Sequence, residues 1–238
     1  MIDTIVIEPM TRDLIMWRCL HDGPLSKDTI ERWDPDSGIP WNDFRSRNVP
    51  LLEKLVDTYG TCMILAKDGK DVVGMLFFVP KAVLSMDGAG FFCLQQNPPG
   101  GPSVNFSERS FPSPEEIRDK TLTVRCIMTG SPKVSENPYQ RKGIGTRMAR
   151  TLIRWAREHG WQGVEARSFE DLPTLYAHTG NAGRTFWEKL GFAIRKTETN
   201  PAFEQENDFV RRLREEATSR GLDPETVKNS YTMRLDLA

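Results

Sequence analysis

Long apolar runs are missing from this 238-residue chain; the longest, Val72 to Pro80, is too short to span a bilayer. Net charge is almost missing too. At −1 overall it gives no electrostatic reason to expect nucleic acid or an anionic membrane as a partner. Histidine is scarce (His21, His159, His178), and neither it nor the four scattered cysteines fall at metal-ligand spacing, so no metal is expected. Cys19, Cys62, Cys93 and Cys126 form no Cys-x-x-Cys and read as buried thiols of a reducing compartment. The N-terminus lacks a basic region and carries Asp3 and Glu8 instead, so no signal peptide is read and the cytoplasm is the expected location. Repeats and low-complexity tracts are also lacking. With 38 % apolar and 27 % charged residues, the composition is that of a globular protein able to bury a core, and one domain over 1–238 is expected.

Periodicity places the elements along the chain. Ile2, Ile5, Val6 and Ile7 read as a strand, and Thr11 as the cap of a helix reaching Leu20. Residues 21–48 are rich in Pro, Gly, Asp and Trp and read as loop or short broken helices. An amphipathic helix is expected over Pro50–Tyr59, stopped by Gly60. Cys62–Ala66 and Val72–Val79 read as a hairpin turned at Lys67–Lys70. Lys81–Lys120 reads as an insertion, with a candidate strand at Phe91–Leu94 and an irregular run at Asn97–Pro102. It is either a mobile lid or a wall of an acceptor pocket, or else an ordinary surface insertion. Beyond it come a strand at Leu122–Met128, a helix at Ile144–His159, a strand at Gly163–Phe169 and a loop at Glu170–Gly180. A helix at Asn181–Leu190, a strand at Phe192–Thr197, an extra charged helix at 203–220 and a last strand alternating Tyr231, Met233, Leu235 and Leu237 complete the chain.

The chemistry concentrates at Gln140-Arg141-Lys142-Gly143-Ile144-Gly145-Thr146, where the most regular helix pattern opens: Ile144, Met148, Leu152, Trp155. Gly143 and Gly145 allow close approach to the main chain. First-turn N–H groups without internal partners, the positive end of the helix dipole, Arg141 and Lys142 together make a seat for phosphate or pyrophosphate. The alternative is a glycine-containing turn that merely starts a helix. The lysine precedes the glycines, which excludes a nucleoside-triphosphate P-loop, and Ala149 stands where a Rossmann fold needs its third glycine.

This run resembles the coenzyme A pyrophosphate loop of the GNAT superfamily of N-acetyltransferases, Gln/Arg-x-x-Gly-x-Gly/Ala. A second segment, Phe186-Trp187-Glu188-Lys189-Leu190-Gly191-Phe192, is similar to that superfamily's Tyr-Glu-Lys-Leu-Gly-Phe. The resemblance implies an α/β (α+β) fold: a mixed, mostly antiparallel sheet, splayed in the middle and flanked by helices, with acetyl-CoA as cosubstrate in the split. It further implies pantetheine pairing along Ile127, Met128 and Thr129, and pyrophosphate on the N–H groups from Arg141 to Thr146. Asn181, Arg184 and Trp187 stand near positions that touch the cofactor in such proteins. Asn181 is one position out of place and could be a plain N-cap. Glu170 and Asp171, at a strand end beside the split, are candidate bases or else solvated loop acids. Tyr176 is a candidate proton donor or a packing residue. Trp187 replaces the tyrosine that protonates the leaving thiolate in many relatives, and an indole N–H cannot deliver that proton at neutral pH.

Two function classes follow. One is an N-acetyltransferase acting on an amine of a small molecule or a protein, with two copies pairing as a homodimer allowed. The other is a coenzyme A-binding sensor without catalysis, which Trp187 keeps open. Arg147, Arg150, Arg154 and Arg157 read as a solvated helix face rather than a nucleic-acid stripe.

Overall fold

The computed structural model describes residues 4–20, 23–33, 40–84, 110–130 and 137–237. Seven strands form one sheet: β1 (Val6–Pro9), β2 (Met63–Asp68), β3 (Asp71–Pro80), β4 (Thr121–Thr129), β5 (Gly163–Ser168), β6 (Ala193–Thr199) and β7 (Asn229–Asp236). Their spatial order is β1-β2-β3-β4-β5-β7-β6. Every neighbouring pair is antiparallel except β4 with β5. The helices are α1 (Trp41–Tyr59), α2 (Lys81–Leu84), α3 (Ile144–Glu158), α4 (Pro173–Thr179), α5 (Arg184–Glu188) and α6 (Asp208–Ser219).

The strand β3 lies inside the sheet, between β2 and β4, and is buried from Val72 to Pro80, which explains why its sequence is a continuous apolar run rather than an alternation. Helix α3 packs on one face of the sheet through Ile144, Met148, Leu152 and Trp155, each almost fully buried. Gly74 on β3 makes that approach close: a Cβ there would stand 3.2 Å from Met148 Cε and 3.0 Å from Ala66 Cβ. Phe78, on the same face as Gly74, meets the Trp155 ring at 5.5 Å between centroids. Arg147 donates to the Ile5 carbonyl at 2.7 Å, while Arg150, Arg154 and Arg157 lie in solvent, as a solvated face requires.

Between β4 and β5 the sheet opens. Their pairing covers only Thr121–Val124 against Gly163–Ala166, although β4 runs on to Thr129 and β5 to Ser168. On its other side β4 stays paired to β3 as far as Thr129. A β-bulge sits at the opening: Phe78 pairs with Val124 and Phe77 with Cys126, so Arg125 is an extra residue in β4. Bulges bend a strand and raise its twist, and this one bends β4 away from β5 where their ladder stops.

A satellite core packs Phe169, Leu172 and Leu175 against Phe203, Val210, Leu213, Ala217 and Val227. It is built by α4, α6 and single turns at Pro201–Phe203 and Pro224–Lys228. Asn207 caps α6, its side chain accepting from the N–H groups of Phe209 and Val210.

Several expectations need correction. Residues 11–20 form turns, not a helix. Trp17 packs edge-on against Trp33 and Trp41, and Asn48 donates to the Trp17 carbonyl at 2.8 Å, so tertiary contacts replace helical hydrogen bonds. Helix α1 starts at Trp41 and carries Pro50 in its interior. The missing N–H of a proline argues for a break, but burial of Trp41, Phe44 and Asn48 holds the earlier turns in place. The expected loop over 170–180 holds α4, which has proline at its first turn and left-handed Gly180 after its last. Helix α5 has five residues instead of the full span 181–190, and α6 begins at Asp208 rather than 203. The candidate strand Phe91–Leu94 and the run Asn97–Pro102 lie outside the described residues.

Candidate functional site

A cleft of about 220 Å³ lies where the start of α3 faces the unpaired edge of β4. Its floor is Ile127 and Thr129, and its rim is Arg141, Gly143, Ile144, Gly145 and Thr146. Tyr139, Tyr176, Ala182 and Phe186 close it. Residues separated by up to a quarter of the chain length thus meet because β4, α3, α4 and α5 all end or begin at the splay.

The glycine turn is built as the spacing predicts. Gly143 caps α3 with φ 76°, and Arg141 also has positive φ, at 56°. Only glycine takes such angles without strain. The first bond of the helix runs from Arg147 N–H to Gly143 O at 3.0 Å, so the N–H groups of Ile144, Gly145 and Thr146 have no helical acceptor. At Gly145 a Cβ would lie 3.6 Å from Ile127 Cδ1 and 3.7 Å from Phe186 Cε2, at the floor of the cleft. The entry to this turn is pinned from outside. Asn137 donates to the Thr129 carbonyl at 2.9 Å and accepts from Tyr139 N–H at 3.0 Å. The Tyr139 hydroxyl donates to Asp68 Oδ2 at 3.2 Å, holding its ring in the wall; burial and then that carboxylate push the phenol up from its ordinary value.

Tyr176 is half-buried beside the opening, and burial, then the neighbouring Cys126 thiol, raise its phenol above the usual 10, so it is neutral at physiological pH. The Cys126 thiol, which the sequence pattern buries, is only half-buried, 3.9 Å from where a Cβ on Gly180 would stand.

The other residues named from sequence lie elsewhere. Gln140 and the exposed Lys142 belong to the turn but not to the cleft lining, and Met128 points to the opposite side of β4 and is buried. Asn181 is not an N-cap; it donates to the Thr179 carbonyl at 3.2 Å, and Gly183 precedes α5. Glu170 is not free to act as a base. It is 5 % exposed, Tyr231 donates to its Oε1 at 2.5 Å, and Arg184 Nε stands 3.3 Å from its Oε2. Burial, then this carboxylate, push the Tyr231 phenol up to about 12. Arg184 is thereby spent on Glu170 and Glu188 rather than turned to the cleft. Asp171 has a structural task, accepting from the Thr185 N–H and hydroxyl at the start of α5. Trp187 does not reach the cleft. It is 1 % exposed, packed between Phe186 and Phe192, and its indole N–H has no acceptor among the described residues. Its neighbour Phe186 is the ring that faces the site.

The segment that supplies the turn, Ala182, Phe186 and Trp187 is the one that known sequences recognise. Residues 136–192 match the acetyltransferase (GNAT) family. The matched segment runs from the approach to the glycine turn through α5, and so spans most of the cleft but not its β4 floor. No curated protein sequence matches the chain. Solved structures of similar architecture include the ribosomal-protein-S18-alanine N-acetyltransferase of Escherichia coli, with 10 % identity, a TM-score of 0.47, and 98 % of this chain and 94 % of that chain covered. Ard1 from Thermoplasma volcanium has 11 % identity and a TM-score of 0.46, with 99 % of both chains covered. A GNAT family acetyltransferase from Elizabethkingia anophelis, with acetyl-CoA bound, has 13 % identity and a TM-score of 0.43 over 99 % of both chains.

Tyr139 was missed in the sequence although it abuts Gln140, and Phe186 was read only as the start of the second motif, with the cofactor role given to its neighbour Trp187. Among the described residues no group of three or more His, Cys, Asp or Glu could hold a metal ion, and no helix is long and apolar enough to cross a membrane.

Proposed function

We propose that the chain is an acetyl-CoA-dependent N-acetyltransferase acting on an amine of a small molecule or a protein. One observation carries this reading: the N–H groups of Ile144–Thr146, which have no helical acceptor, and the edge of β4 that has no strand partner among the described residues line the same cleft. The first can take a pyrophosphate. The second offers main-chain partners to an amide-bearing arm, as an added strand would. Arg141 on the rim adds charge for the anion.

In the reaction the amine nitrogen attacks the thioester carbonyl carbon, the C–N bond forms, the C–S bond breaks, and the nitrogen loses a proton to water. Tyr176 is the cleft residue suited to the leaving group. Its phenol lies above 10, whereas a thiol lies near ~8.5. Full proton transfer from phenol to thiolate is therefore uphill, and Tyr176 serves as a hydrogen-bond donor while solvent supplies the proton. The described carboxylates next to the site, Glu170 and Asp171, are engaged, so the amine is taken up as its free base.

The test pairs calorimetric titration with coenzyme A and thiol release from acetyl-CoA across a panel of amines. Coenzyme A binding with release on at least one amine is the expected result. Absence of coenzyme A binding overturns the site, and tight binding without turnover of any amine overturns the enzyme.

A further inference from the structure

The outer strand β6 has neither a covered face nor a covered edge. All seven of its residues, Ala193–Thr199, are exposed, and β7 is its only strand neighbour among the described residues. Alternate side chains point to opposite faces, so exposure of every residue means that both faces are open. A strand held from one side alone is marginal in water, and its free edge is a template for another strand. The direction of that edge follows from one bond beyond the strand: Asn200 N–H donates to the Lys228 carbonyl at 2.7 Å. Counting back along the ladder, Glu198 and Lys196 turn their main-chain groups toward β7, while Thr197 and Thr199 turn theirs outward.

The edge reads Arg195, Lys196, Thr197, Glu198, Thr199. Lys196 and Glu198 lie on one face and pair with each other at 2.7 Å, and Arg195 is engaged by Asp236. When two identical strands pair antiparallel, the residue on the two-fold axis fixes every opposite pair. With Arg195, Lys196 or Glu198 on the axis, a charge faces its own copy. With Thr199 on the axis, Thr197 faces Pro201, which has no N–H and belongs to the turn that follows. With Thr197 on the axis, Lys196 faces Glu198 of the partner subunit, Glu198 faces Lys196 of the partner subunit, and Arg195 faces a threonine. The outward main-chain groups of Thr197 then exchange two hydrogen bonds with their own copies. Charges on an edge strand ordinarily keep other strands away. Here they repel the neighbouring registers and match this one.

We propose that β6 is the contact surface for a second copy of this chain, joined edge to edge and antiparallel about a two-fold axis at Thr197. Two seven-stranded sheets then run on as one. Strands β5 and β7 stand between β6 and the cleft edge of β4, so the contact leaves the cleft open and is independent of the transferase reading. A single pair of strands buries far less than a standard interface of about 1,600 Å², which makes the dimer reversible and concentration-dependent.

Analytical ultracentrifugation of the full chain over a concentration series should show a monomer–dimer equilibrium with a dissociation constant on the order of 10 μM. Lys196→Glu sets acid against acid and Glu198→Lys sets lysine against lysine, so each alone should weaken the dimer about tenfold or more. Mixed together, the two variants should associate as wild type does, because one brings two acids and the other two lysines to the axis. The double exchange Lys196→Glu with Glu198→Lys should restore self-association. Each variant should melt close to wild type, since both positions are exposed. In the chain with its charges unaltered, Thr197→Cys should form an intermolecular disulfide under mild oxidation, because directly opposed residues lie ~5.5 Å apart at Cα. Thr199→Cys, which is well offset from its own copy in this register, should form none beyond wild type. A chain that stays monomeric at every concentration would overturn the inference. So would a dimer indifferent to both charge changes, a loss that neither the mixture nor the double exchange repairs, or crosslinking through Thr199→Cys and not Thr197→Cys.

Discussion

Replacing Gly145 by alanine separates folding from binding, because the two should change in opposite directions. The residue is in the first turn of α3 with helical backbone angles, and the added methyl would find ordinary contacts of 3.6 Å to Ile127 and 3.7 Å to Phe186. No clash arises in the free protein, and glycine in a helix costs ~0.5–1 kcal/mol relative to alanine. Gly145→Ala should therefore melt unchanged or up to ~2–4 °C higher for a chain of this size. The same methyl stands on the cleft floor and holds an anion off the N–H groups behind it. Loss of one charge-assisted hydrogen bond is worth ~1.5–3 kcal/mol, or a roughly 10- to 150-fold weaker affinity for coenzyme A. Gly143→Ala is the control with the reverse signature. Its Cβ would meet nothing within 4 Å, but φ 76° puts an L residue in the left-handed region at a cost of ~1–2 kcal/mol. Differential scanning calorimetry and titration with coenzyme A give both quantities. Wild-type affinity in a fully folded Gly145→Ala protein would refute the placement of the cofactor in this cleft.

Three other perturbations probe the residues that sequence and structure read differently. Trp187→Ala should lose ~3–5 kcal/mol in urea unfolding, whereas Trp187→Phe should lose far less, since it also removes a buried indole N–H that lacks an acceptor among the described residues. Tyr231→Phe deletes a hydroxyl that donates to a carboxylate and should cost ~1.5–3 kcal/mol, as read by equilibrium unfolding at pH 8. Because the native phenol is raised to about 12 from 10, the stabilisation is complete below pH 10 and fades as pH climbs to 12, so wild type and variant should converge over that window. Tyr176→Phe should lower kcat by up to ~10²-fold, at the low end for a positioned donor, with coenzyme A affinity retained; an unchanged kcat would remove Tyr176 from the reaction.

The central sheet, helix α3 and the glycine turn were legible because each repeats a local rule: apolar spacing, a hairpin turn, a glycine pair before a periodic helix. Residues 11–20 and Pro50 were misread because rings far apart in sequence decide them, Trp17 against Trp33 and Trp41. Pro173 and Gly180 announce α4 in retrospect, as proline at the first turn and glycine after the last. At the site the backbone contributors could be read in advance, since main-chain N–H groups follow from where a helix starts. Side-chain roles could not. Whether Glu170 faces a substrate or Arg184 and Tyr231 depends on which way one strand end turns, and Trp187 and Phe186 exchange core and cleft by a single step along a short helix.

The bulge at Arg125 also acts as a phase shifter. Val124 and Ile127 both face α3, although strict alternation would send residues three apart to opposite sides. One extra residue resets the parity of the strand, so Leu122 and Val124 count in even steps and Ile127 and Thr129 in odd ones, all toward the same helix. The slip is printed in the sequence as a broken rhythm, Leu-x-Val-x-x-Ile-x-Thr. Deleting Arg125 would leave the plain alternation Leu-x-Val-x-Ile-x-Thr, with Ile127 and Thr129 still toward the glycine turn and the pairing with β3 intact, but without the bulge that bends β4 where its ladder with β5 stops. A single extra residue thus opens the sheet without changing which side chains of β4 face the cleft.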